Sequence, residues 1–144
     1  MVDYAKAAFD FKARLNAKNK RKADLDAFFE GVRVNIVKEV DKANAELVRV
    51  GTPKIDLQQA SPHEYTIEIV CRTATCKISQ DRSAPSIGAV VAGEAGEKTI
   101  TFMILLEESP VKARRLSLTP ETEAKIDPSE LAANFVEELI TGAP

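Results

Sequence analysis

Three features of the sequence predict an α+β domain with a long N-terminal helical region, an antiparallel sheet of about five to six strands and a C-terminal helix. Apolar residues recur at steps of three or four from Leu25 to Val50. The apolar period falls to two between Ile55 and Leu118, where no segment is long enough for a parallel crossover. Near the end, Asp127-Pro128-Ser129-Glu130 carries the marks of a helix start. That order of elements gathers the helices mainly on one face of the sheet.

The central helix is expected from Asp24 to Gly51. Leu25, Phe29, Val32, Ile36, Val40, Ala43, Leu47 and Val50 make one continuous apolar side, Asp24 can cap the start, and Gly51 before Pro53 can end it. Glu30, Arg33, Asp41, Lys42, Glu46 and Arg49 occupy the other side and are expected to face water. Gly31 costs about 1 kcal/mol against Ala inside a helix, which close packing at that point would explain. Upstream, Tyr4, Ala8, Phe11 and Leu15 give a second, weaker helical stripe over Asp3 to Ala17. Lys12, Arg14, Lys18, Lys20, Arg21 and Lys22 then form a basic stretch with no acid among them, read as a solvated connection between two helices. Wrapped on a helix, those side chains scatter around the whole circumference, so no groove for a phosphate backbone is encoded.

Beyond Pro53, Ile55 and Leu57 alternate with polar residues, and after Ser61-Pro62 the same holds for Tyr65, Ile67, Ile69 and Cys71. The apolar positions then move to Ala74, Cys76 and Ile78, a change of parity that needs an inserted residue or a reversal. The lack of Gly, Asn, Asp and Pro in Arg72 to Thr75 favours a bulge. Ile87 to Ala92 and Thr99 to Leu106 read as strands of a hairpin closed at Gly93 to Gly96, the second with Ile100, Phe102, Ile104 and Leu106 facing inward. Val111 to Leu118 reads as one more strand, and Leu131, Phe135, Val136 and Leu139 as the stripe of a last helix ended by Gly142.

At 144 residues the chain is one domain long, 1–144, with 1–22 as a peripheral helix and connection. A net charge of -2 writes no long-range attraction to nucleic acid or anionic membrane into the total. No apolar run approaches the length of about 20 residues that spans a bilayer, no signal peptide opens the chain, and two cysteines are too few for a disulfide framework. A cytoplasmic protein is expected, without a membrane partner.

Catalytic chemistry is sparsely advertised. The single histidine, His63, lies in a turn. With Cys71 and Cys76 it could form a thiol and base or three metal ligands, but the cysteine spacing is unlike that of structural zinc, and alternation buries both thiols. Glu107 with Glu108 and Glu137 with Glu138 are neighbours that point apart. No catalytic, cofactor-binding or metal-binding residue is assigned, and no cofactor is expected. The favoured expectation is a small non-catalytic protein-interaction module that self-associates or holds a protein partner. It would act through the long helix or through the second sheet face, where Val70, Met103 and Leu105 add apolar groups and where the first helix or a second copy would cover them. The alternatives are a small-molecule binding domain with a pocket between sheet and long helix, or an enzyme using residues such as Arg72, Arg114 and Arg115. Nucleic-acid binding through Lys12 to Lys22 ranks last.

Overall fold

The computed structural model describes residues 2–59, 65–81, 84–94 and 96–142. A helix, α1 (Tyr4–Arg49), precedes six strands: β1 (Asp56–Gln59), β2 (Thr66–Cys71), β3 (Ala74–Asp81), β4 (Ser86–Gly93), β5 (Gly96–Leu105) and β6 (Lys112–Arg115). A 3-10 turn at Pro120–Thr122, a short strand β7 (Lys125–Ile126) and a helix α2 (Pro128–Glu137) complete the fold, and α2 runs on into a π-helical turn over Glu138–Gly142. The sheet is a pure meander, β1 to β7 in spatial order, with every pair antiparallel.

The expected break between two helices is absent. α1 is one helix of 46 residues, capped by the Asp3 side chain, which accepts from the Lys6 N–H, and not by Asp24. The physical reason lies in Ala17 to Ala23, where every residue but Asn19 is Lys, Arg or Ala, all good helix formers, and neither Gly nor Pro occurs. Spreading the basic side chains around the circumference also dilutes their repulsion. At 1.5 Å per residue the helix is about 69 Å long.

Only its second half belongs to the core. Leu25, Phe28, Phe29, Val32, Ile36 and Val40 are buried, whereas every residue from Val2 to Ala23 is exposed. The body half lies over the concave sheet face beside α2, which follows α1 in the same direction, from Pro128 against Gly31 to Ile140 beside Ala43. A Cβ added at Gly31 would sit 3.2 Å from the Pro128 Cβ, so the close approach of the two helices accounts for the glycine. Arg33, expected in water, instead lies over the Phe29 ring at 5.5 Å with its side chain 12% exposed.

On the sheet, register sets Ile69, Cys76 and Val91 in one buried row and Ile67, Ile78, Ala89 and Ile100 in the next. Phe102 meets Phe135 of α2 edge-on at 5.7 Å. Asn44 ties α1 to the start of the sheet: its Nδ2 donates to the Ile55 carbonyl at 3.0 Å, and its Oδ1 accepts from the Ile55 N–H at 2.7 Å. At α2 the expected capping box is present, with Glu130 N–H donating to Asp127 Oδ1 at 2.9 Å.

Three further expectations are corrected. Arg72 and Thr73 make a reversal, not a bulge: Cys71 pairs with Ala74, and Arg72 supplies the left-handed conformation itself, at φ 57. The strands number seven, because Lys125–Ile126 is too short to show an alternation. β6 ends at Arg115, leaving Leu116 and Leu118 exposed.

Candidate functional site

α1 leaves the domain at about Ala23, and the first twenty residues of the helix stand in solvent as an arm. An unsupported helix of that length is marginal in water, and here it is propagated from a buried half that serves as its nucleus. Tyr4, Phe9 and Phe11 are 78%, 73% and 60% exposed, and Leu15 is 44% exposed. Residues 1–23 carry seven of the chain's twenty basic side chains and two of its twenty-two acidic ones, so the near-neutral total conceals a strong separation of charge. The arm is basic and the body acidic.

The outward side of the body half continues the side of the arm that bears Phe9, whereas Tyr4, Phe11 and Leu15 stand in line with the buried stripe. Val34, Val37 and Val48 are 46%, 38% and 53% exposed, at spacings that place them on one side of the helix, away from the buried stripe. This apolar strip was legible in the sequence as valines on the polar side of the helix, but the charged residues around it drew the reading.

The second sheet face does not form the patch expected of it. Val70, on β2, pairs with Asp56 and Thr75, whereas Met103, on β5, pairs with Ser86 and Arg114. Two strands and several rows lie between them, filled by polar groups such as Lys77, Ser79 and Thr101. The arm does not cover this face either. Only its base approaches, where Lys20 and Arg21 border a cleft of about 440 Å³ with Met103 and Leu105.

A second cleft, about 410 Å³, opens at the far end of the body between the C-terminal turn of α1, the β2–β3 reversal and the π-helical turn. Leu47, Cys71, Leu139 and Ile140 give it apolar walls, and Arg72 and Glu94 stand at its rim. A shallower third cleft of about 370 Å³ runs between the two helices, past Ala43, Val136 and Ile140, with Glu39 and Glu137 on its borders.

The titratable groups singled out from sequence do not converge. Arg72 lies at one end of the sheet and Arg114 near the other, and Arg114 and its neighbour Arg115 alternate across the sheet. Arg114 donates to the Pro120 carbonyl at 3.4 Å. Lys125 donates to Glu108, and that hydrogen bond, then the lysine's charge, hold the Glu108 carboxyl below the usual range; Glu138 pairs with Lys98. Both cysteines are free thiols; burial, with a lesser contribution from Glu138, pushes Cys76 up to about 12. His63 lies outside the described residues. Among the described residues no three His, Cys, Asp or Glu side chains gather where they could hold a metal ion, and no helix is long and apolar enough to cross a membrane.

No protein-family model, curated protein or solved structure matches this chain.

Proposed function

We propose that this chain is a small, cytoplasmic, non-catalytic protein-interaction module, and that α1 is the element that meets the partner. The observation that carries the reading is the arm: about 30 Å of helix exposed throughout, with only its base at Lys20 and Arg21 near the body among the described residues, bearing exposed Tyr4, Phe9, Phe11 and Leu15. Exposed aromatics on a helix that gains nothing from its own domain are the kind of group that anchors protein interfaces. Native mass spectrometry of the gently purified protein tests it. A polypeptide adduct that disappears in a Phe9→Ser/Phe11→Ser/Leu15→Ser variant, with thermal stability unchanged, supports the reading. A bare single chain in both proteins counts against it.

A second reading rests on the cleft between Leu47 and Leu139, whose apolar walls and rim charges Arg72 and Glu94 suit a small amphipathic molecule. A small extra mass, retained in the arm variant and lost on denaturation or in Leu139→Arg, would favour it.

A further inference from the structure

We infer that the partner of α1 is a second copy of this chain, bound antiparallel, so that the arm of each copy lies along the outer side of the body half of the other. The inference rests on the interaction reading above and adds the identity and direction of the partner.

The first ground is a seam that runs almost the full length of α1. Stepping by three and four residues along the solvent side, Phe9, Ala13, Asn16, Lys20, Ala23, Ala27, Glu30, Val34, Val37 and Asp41 follow one another; six of the ten are apolar, and Val48 lies on the same side seven residues further on. All are exposed. The drift of such a series, about 20° per seven residues, is the drift that a left-handed pair of helices absorbs by supercoiling. The seam therefore matches a facing helix of comparable length, and α1 of another copy is one.

The second ground is charge. Arm against arm, as a parallel pairing requires, would set two segments of seven basic and two acidic residues side by side. Antiparallel pairing sets each arm along the body half of the other helix, whose residues 24–50 carry four basic and six acidic side chains. One pair of polar interruptions in the seam obeys the same rule. Asn16 and Lys20 interrupt it in the arm; Glu30 and Asp41 interrupt it in the body half. Placing Ala23 of one copy against Ala27 of the other brings Lys20 opposite Glu30, Ala13 opposite Val37, Asn16 opposite Val34 and Phe9 opposite Asp41. The two-fold axis then passes near residue 25, among small side chains that let the helices approach. A nucleic acid would suit the arm but not the acidic second half of the same seam.

The experiment is pulsed dipolar spectroscopy on full-length protein spin-labelled at Ala7→Cys, on the arm side away from the seam, in a Cys71→Ser background that leaves only the buried Cys76. Antiparallel pairing puts the label opposite residue 43 of the other copy, so the two labels lie about 55 Å apart, against roughly 20 Å or less in a parallel pair. The long distance is expected. It should weaken with added salt and vanish in Val34→Arg/Val37→Arg, whose side chains are exposed and whose replacement leaves the monomer folded. Lys20→Glu should raise the dimer dissociation constant about tenfold, and adding Glu30→Lys should restore it. A short distance, no dipolar coupling, or coupling that survives Val34→Arg/Val37→Arg overturns the inference. A different polypeptide on α1 in native mass spectra also overturns it, yet leaves the interaction reading standing; RNA retained by the arm in place of protein defeats both.

Discussion

Replacing Asn44 tests the junction by which α1 is fixed to the sheet, and hence the division of the helix into body and arm. The Asn44 carboxamide satisfies both backbone groups of Ile55, a residue only 3% exposed, at 3.0 and 2.7 Å. The orientation of the amide is set by these two partners, since only one arrangement gives the carbonyl a donor and the N–H an acceptor. Asn44→Ala removes both bonds and strands a donor and an acceptor at the edge of the core. At about 1–2 kcal/mol for each group the expected loss is roughly 2–4 kcal/mol. For a domain of this size that is a fall in Tm of roughly 6–12 °C. Asn44→Asp keeps the acceptor for the Ile55 N–H but turns an oxygen toward the Ile55 carbonyl, so it should be no better than Ala. Asn16→Ala, the same change on the arm, should stay within about 0.5 kcal/mol. Urea unfolding followed by far-ultraviolet circular dichroism gives both values, with an unchanged m-value showing that compactness is preserved. If Asn44→Ala cost no more than Asn16→Ala, the attachment of α1 to the sheet would be misdescribed.

Other perturbations report on the core and the helix ends. Ile36→Asp places a carboxylate where Ile36 is fully buried and should unfold the domain, whereas Glu46→Ala, which breaks only the exposed pair with Arg49, should lie within about 0.5 kcal/mol of the native protein; thermal melts rank the two. Cys71 should react with a thiol reagent in the folded state and Cys76 only after unfolding. Because burial raises Cys76 to about 12, the folded state holds its proton while the unfolded state loses it. Stability should therefore decline with rising pH above the ordinary thiol value, by about 1.4 kcal/mol per pH unit until about 12, and Cys76→Ala should flatten that slope in denaturant titrations. Asp127→Ala removes the cap of α2 and should cost about 1 kcal/mol near neutral pH. The hydrogen bond from the Glu130 N–H, then that from Ser129, depress the Asp127 pKa; its contribution is thus present above the unfolded value and is lost as pH falls through the folded one, so native and variant stabilities should converge in acid.

The parts of the fold legible in the sequence were those written as local periodicity or as a stereochemical signature. Leu25 to Val40 named the buried side of the helix, Asp127 to Glu130 named a helix start, and the lack of any crossover between Ile55 and Leu118 named a meander. The misses have physical causes of their own. The basic run before Asp24 resembles a connection by composition, yet Lys, Arg and Ala continue a helix readily once a buried segment has nucleated it. The reversal at Arg72 uses no residue that advertises positive φ, so its parity change alone could not separate it from a bulge. Alternation placed Val70 and Met103 on the same sheet face, but lateral distance depends on register, and register keeps them apart. As for the candidate surface, Tyr4, Phe11 and Leu15 were visible as a stripe, whereas Phe9, on the other side of the helix, was not. What the sequence could not convey was that among the described residues only the base of the arm comes near the body.

The most direct test of the account is amide hydrogen exchange of the full chain, measured peptide by peptide at low and high protein concentration. If α1 pairs with a second copy, peptides covering Tyr4 to Ala23 should exchange quickly in dilute solution and slow markedly as concentration rises, while Leu25 to Val40 stays protected throughout. Arm exchange at one rate over the whole concentration range would contradict it.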